Sequence, residues 1–150
     1  MGMGRLLTMT VDGIPVHLGY YVVDHLDTTN MRILMKNGYI ETTEESIHKI
    51  LGLPIDGIDL ESVDPVKNGD DLGAIWKAQF GKGRTSARDV QEVIKEMTDD
   101  GELFNLNFLM LVINVFGECS RAGEYKYNFL SQLKGVNMIS KVNWCRYVYR

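Results

Sequence analysis

Apolar positions in this chain change period near residue 43, and the predicted elements follow from that change. In "MRILMKNGYIETT" two short apolar runs flank Asn37-Gly38. That dipeptide suits the central positions of a type I′ turn, both of which need positive φ. A β-hairpin is therefore expected, with strands near 31–35 and 39–42. The next stretch, "IETTEESIHKILGLPIDG", switches to helical spacing: Ile47, Ile50 and Leu51 fall at i, i+3 and i+4. Thr42-Thr43-Glu44-Glu45 supplies a hydroxyl N-cap with a glutamate three residues on. Gly52 can take the left-handed position after the last turn, and Pro54 cannot continue a helix. A helix over 43–51 results, docked by a narrow apolar stripe and followed by "GIDL" returning beside the hairpin.

The rest of the pattern is mostly helical. "LGYYVVDHL", after the breaks at Gly13 and Pro15, fits a strand or a helix. A short strand is expected at 58–60 and a second helix over 71–80, with Trp76 and Phe80 on one face. The clearest helix, 86–98, has Ser86 as cap, Asp89 three residues later, and Val90, Val93, Ile94 and Met97 in one stripe. Residues 102–116, "ELFNLNFLMLVINVF", are apolar on most sides and so read as a central helix. Val93, Ile94, Phe108, Leu109 and Val112 are the expected contact between these two. Further helices are expected at 124–133 and from a Ser140 cap onward, the last still running at Arg150. The reading is mainly α (α+β): a lead-in over 1–17, then one helical domain with a small N-terminal β-hairpin over 18–150, cut short at its C-terminus.

Composition narrows the function classes. The chain has 150 residues, enough for one domain with a substantial core. No apolar run reaches the ~20 residues of a membrane span, and "MGMGRLLTMTVDG" has no signal-peptide apolar region, so an intracellular protein is expected. The net charge of −4 is unevenly spread: residues 1–75 hold 5 Lys/Arg against 12 Asp/Glu, while 117–150 hold 6 against 2. An acidic whole opposes strong nonspecific nucleic-acid binding. The basic last quarter allows a local patch, or a contact between acidic and basic parts within one chain or between copies.

Candidate chemistry is sparse. "FGKGRTS" lacks the Lys-Ser or Lys-Thr of a phosphate-binding loop. It keeps a basic, glycine-containing entry to a helix N-terminus, where Lys82, Arg84 and Arg88 are candidates for anion or nucleic-acid contact. "DPVKNGDDLGAI" has Val66 and Ile75 where a calcium loop needs oxygen ligands. His17, His25 and His48 show no metal-ligand spacing. Cys119 and Cys145 sit among apolar neighbours and read as packed thiols. A helix-turn-helix over 43–60 fails because Pro54, Gly57 and the alternation in "GIDLE" look extended. No catalytic, cofactor-binding or metal-ligating residue is assigned.

Three stretches in order, "IETTEESIHKILGLPIDGIDLE", "FNLNFLMLVINVFG" and "VNWCRYVYR", with "GYYVVDHLDTTNMRI" before them, resemble the plant mobile domain of transposon-derived plant proteins. Those proteins often carry a downstream SUMO-type cysteine protease domain. The resemblance implies nuclear residence, gene silencing and action through partner proteins, and gives Cys145 no catalytic role. The expectation is a non-catalytic protein-interaction module without cofactors, with nucleic-acid binding as the alternative. Val142, Trp144, Tyr147, Val148 and Tyr149 crowd the final helix. Trp144, Tyr147, Val148 and Tyr149 are therefore its expected interaction surface, serving a protein partner or a second copy.

Overall fold

A computed structural model of the chain describes residues 1–10, 13, 15–66, 72–81, 83–118 and 125–150. The fold is mainly α with one small antiparallel sheet. A 3-10 turn, Gly4–Thr8, precedes α1 (Val16–His25) and three strands, β1 (Leu26–Asp27), β2 (Arg32–Met35) and β3 (Gly38–Glu41). Then come α2 (Glu44–Leu51), α3 (Leu72–Lys77), α4 (Ala87–Glu96) and α5 (Glu102–Phe116). Two 3-10 segments, Asn128–Gln132 and Val136–Lys141, lead into α6 (Trp144–Tyr149).

The hairpin forms where expected, but on a different turn. Met35 pairs with Gly38 and Ile33 with Ile40, so the loop residues are Lys36 and Asn37. Among described non-glycine residues only Met31 has positive φ, at 51°, so this is not a type I′ turn. Gly38, at φ 149°, takes the unusual conformation at the first paired position. A slip of one residue would move Ile40 to the opposite face of the sheet, away from Ile33. A third strand, β1, was not anticipated. It pairs with β2 through Leu26–Ile33 and Asp27–Arg32.

α2 and α4 start within a residue of their expected positions because their caps are local, but α4 ends at Glu96, two residues short of the expected 98. Thr43, rather than Thr42, caps α2, and the reciprocal partner is Ser46: Ser46 N–H donates to Thr43 Oγ1 at 3.1 Å and Thr43 N–H to Ser46 Oγ at 2.9 Å. Gly52 is left-handed at φ 68°. Ser86 and Asp89 form the same box at α4. Hydrogen bonds to Asp89, first from the Ser86 backbone and then from its side chain, hold that carboxyl below its usual range.

Later boundaries were set by tertiary contacts. α3 is shorter than 71–80, and Asp71 lies outside the described residues. Trp76 and Phe80 still meet, with ring centroids 4.9 Å apart. The expected helix over 124–133 is a 3-10 segment, with residue 124 outside the described ones. "GIDL" turns not to the hairpin but to the C-terminal segment, where Ile58 bridges Val142 in parallel. Ile58 N–H donates to Lys141 O at 2.7 Å and Asn143 N–H to Ile58 O at 2.9 Å. That pairing holds Val142 extended, so no helix runs on from Ser140. Asn143 caps α6 instead, its side chain accepting from Arg146 N–H at 2.9 Å.

The core surrounds α5. Leu106, Leu109, Met110 and Ile113 are buried against Trp76, Leu130 and Ile139. Leu109 and Val112 meet the expectation for the α4–α5 contact, with Val90 as the buried residue of α4. Val93, Ile94 and Phe108 are only half-buried. Met3, in the stretch read as a lead-in, is a core residue. A pocket of about 180 Å³ lies between residues 1–4, Leu7, Phe104 and Phe108.

Candidate interaction surface

Residues 16–41 differ from the rest of the chain: none of them is buried. α1 joins the sheet through Tyr21, whose hydroxyl donates to Leu34 O at 3.2 Å and whose ring stacks on His25 at 4.0 Å. The turn after β1 is closed by Asp27. Its carboxylate accepts from Asn30 Nδ2 at 2.8 Å and from the backbone N–H of Thr29 and Asn30. The Asn30 side chain leads in lowering the pKa of Asp27. These local bonds hold the unit together without a core of its own.

Two apolar surfaces result. On α1, Val16, Tyr20 and Val23 stand at i, i+4 and i+7 and are 70%, 69% and 75% exposed. Such spacing places them on one helical face. On the sheet, side chains alternate between faces. One face carries Arg32, Tyr39 and Glu41: the Arg32 guanidinium sits 4.2 Å from the Tyr39 ring centroid and 2.9 Å from Glu41 Oε1. The other carries Leu26, Ile33, Met35 and Ile40, with Ile40 54% exposed at the sheet edge. Sequence reasoning missed both surfaces. The i, i+4, i+7 spacing was present in "VHLGYYVV", but the choice between helix and strand hid it.

The expected interaction surface on the final helix is corrected at Trp144, which is fully buried with Val142 and Cys145. Its indole N–H donates to Ile139 O at 2.7 Å, and Phe129 packs edge-on to it at 6.2 Å. α2 covers one side of α6, and the 3-10 segments cover another, so more of the helix is buried than a single docking face allows. Tyr147, Val148 and Tyr149 are half-buried. Tyr147 donates its hydroxyl to Glu118 Oε1 at 2.8 Å. Burial first, and then this bond, raise its pKa far above the phenolic range. Cys145 donates its thiol to Leu53 O at 3.2 Å. Burial, followed by Glu44 and Glu45, pushes its pKa up to about 11. Cys119 lies outside the described residues.

The uneven charge closes largely within the chain. Arg146 Nε lies 3.0 Å from Glu44 Oε1, and Arg150 reaches Asp59 and Glu61. The basic loop is also engaged. Lys77 Nζ donates to Gly83 O and Thr85 Oγ1, and Arg88 pairs with Glu92 at 2.9 Å. Arg84 lines a polar pocket of about 370 Å³ with Asp89, Glu92 and Glu96, an acidic setting for an anion. Lys82 lies outside the described residues. Among the described residues no His, Cys, Asp and Glu side chains gather into a set that could hold a metal ion. Nor is any helix among them long and apolar enough to cross a membrane.

These features define a mainly α domain carrying a small, solvent-exposed helix-and-sheet unit. Residues 1–150 match the family described as Domain of unknown function (DUF8566), and the chain belongs to it. That match overturns the resemblance to the plant mobile domain: the quoted stretches belong to DUF8566, and the nuclear and gene-silencing expectations lose their basis. Comparison with curated proteins gives no match, and comparison with solved structures gives none.

Proposed function

We propose that the chain is a non-catalytic protein-interaction module and that residues 16–41 carry its working surface. The supporting observation is a helix-and-sheet unit with no buried side chain that nevertheless displays Val16, Tyr20, Val23, Met35 and Ile40 to solvent. Single exposed apolar residues are ordinary, but large apolar side chains grouped on one helix face or one sheet face mark a candidate binding surface. The acids around Arg84 and Arg88 add no support to the nucleic-acid alternative.

The test is a triple variant, Val16→Ser, Tyr20→Ser and Val23→Ser. Its urea midpoint should stay close to the parent's, because exposed substitutions usually change stability by less than ~0.5 kcal/mol each. Proteins from a native extract retained by the immobilised parent should be lost with the variant. Equal retention by both, or a loss of more than about 3 kcal/mol in the variant, would reject the reading. The second outcome would mean that the stripe packs in the fold.

A further inference from the structure

We propose that β3 is a self-pairing edge through which two copies of this chain join their sheets, an inference that rests on residues 16–41 being the interaction surface. The sheet order β1-β2-β3 leaves β3 on an edge, and all four of its residues are exposed. Antiparallel ladders alternate hydrogen-bonded and non-bonded pairs. Met35–Gly38 closes the hairpin, and Thr42 N–H donates to Met31 O at 2.9 Å. The bonded pairs are therefore 35–38, 33–40 and 31–42. The backbone groups of Tyr39 and Glu41 point away from β2, toward an incoming strand.

One register satisfies those groups with a second β3. Antiparallel pairing of Tyr39 with the second copy's Glu41, and the reverse, makes four backbone hydrogen bonds about a two-fold axis. Ile40 then faces the second copy's Ile40 on that axis as a close, non-bonded pair. Within one copy Leu26 is already opposite Ile33, and Ile33 opposite Ile40. The pairing extends this apolar row across six strands.

Charge favours the same partner. Each Arg32 rests over its own Tyr39, so the Glu41 that arrives opposite that tyrosine meets a second guanidinium. Edge strands are commonly protected by lysine, proline or a bulge. β3 has no lysine or proline and pairs with β2 one to one. Its single charge, Glu41, is already neutralised by Arg32. Stable interfaces bury roughly 1,200–2,000 Å², and a four-residue strand pair covers less, which places half-dissociation on the order of 100 µM.

Sedimentation equilibrium of the intact chain between about 10 µM and 1 mM tests this, the upper limit being tenfold above that midpoint. The parent is expected to shift from monomer to dimer. Ile40→Lys and Ile40→Glu, each at an exposed position, should remain monomeric alone and associate when mixed, because the register sets residue 40 against itself. Tyr39→Pro, which removes an outward N–H together with the ring beneath Arg32, should also be monomeric. The amides of Tyr39 and Glu41 should gain hydrogen-exchange protection as concentration rises. A parent that stays monomeric at 1 mM overturns the proposal and leaves the edge to a foreign strand. A dimer unaffected by either residue-40 variant also overturns it. If the triple α1 variant alone abolishes dimerisation, the proposed function stands and the edge pairing fails.

Discussion

Asn107 is a polar residue at the centre of an apolar helix, and its partners explain why the position is polar. Trp76 Nε1 donates to Asn107 Oδ1 at 2.8 Å, and Asn107 Nδ2 donates to Gln79 Oε1 at 2.9 Å. Asn114, a further interruption, grips residue 126 through its side-chain amide: Lys126 N–H donates to Asn114 Oδ1 at 2.9 Å. In the sequence these residues marked only a helix too polar for a membrane; Trp76, Gln79 and Lys126 lie 12 to 31 residues from them. Cys145 behaves as its neighbours suggested, a packed thiol. Iodoacetamide at neutral pH should leave it unmodified in native protein and label it rapidly after unfolding, read by peptide mass. Labelling of the native thiol at the rate of a free cysteine would contradict the buried geometry. The pH dependence has a definite sign. Its folded pKa, about 11 against 9.0, makes its contribution to stability complete below pH 9 and lost as pH rises toward 11. Cys145→Ala should lack that component of the alkaline fall in melting temperature.

At the scale of elements, local signals set boundaries wherever a cap or a left-handed glycine closed the element by itself. Thr43 with Ser46, Ser86 with Asp89, and Gly52 all act within one turn of their own helix, and α2 and α4 were legible. The short strand expected over 58–60 is reduced to a single bridge at Ile58, since Leu60 already begins a 3-10 turn, and its partner Val142 was not legible. Gly57 shows why. At φ 128°, a Cβ there would lie 2.2 Å from Lys141 O, a contact set by a segment more than 80 residues away. Gly57→Ala should force the two segments apart and cost about 2–5 kcal/mol, from backbone strain and two weakened hydrogen bonds. Gly52→Ala, at φ 68°, would bring its Cβ within 2.5 Å of Arg5 Cβ, so the short N-terminal turn must shift; that turn moves more easily than the 58–142 bridge, and the cost should be about 1–3 kcal/mol. Urea unfolding of both variants gives the order. A Gly52 variant at least as damaged as the Gly57 variant would show that the 58–142 bridge is not a main support.

Over the whole molecule, stability should be uneven. α5 is enclosed by the core, whereas β2 and β3 depend on a hairpin ladder, an ion pair and the Tyr21 bond. Amides of residues 106–113 should therefore exchange on the order of 100-fold more slowly than those of residues 32–35 in dilute protein. Equal protection would mean that the helix-and-sheet unit is as tightly held as the core. The acidic front and basic end of the chain meet in Glu44, Asp59, Glu61, Arg146 and Arg150. These ions are partly solvated, so their main effect is orientation of α6 on α2, and such exposed pairs add little to stability.

By itself the sequence determined the mainly helical class, the hairpin, the capped helices and the central apolar helix. Each of these depends on periodicity or on bonds spanning three or four residues. Only the tertiary structure decided where the C-terminal segment broke, which face of α6 was covered and which apolar residues stayed in water. Val142, Trp144 and Cys145 are buried because the distant segment 53–58 closes on them from one side and the 3-10 turns of 128–141 fold back on them from another. Val16, Tyr20, Val23 and Ile40 are equally apolar but exposed, because among the described residues no distant segment does the same for residues 16–41. Hydrophobicity alone carries no record of that difference. Burial belongs to pairs of segments, and one strand of sequence shows only one member of each pair at a time.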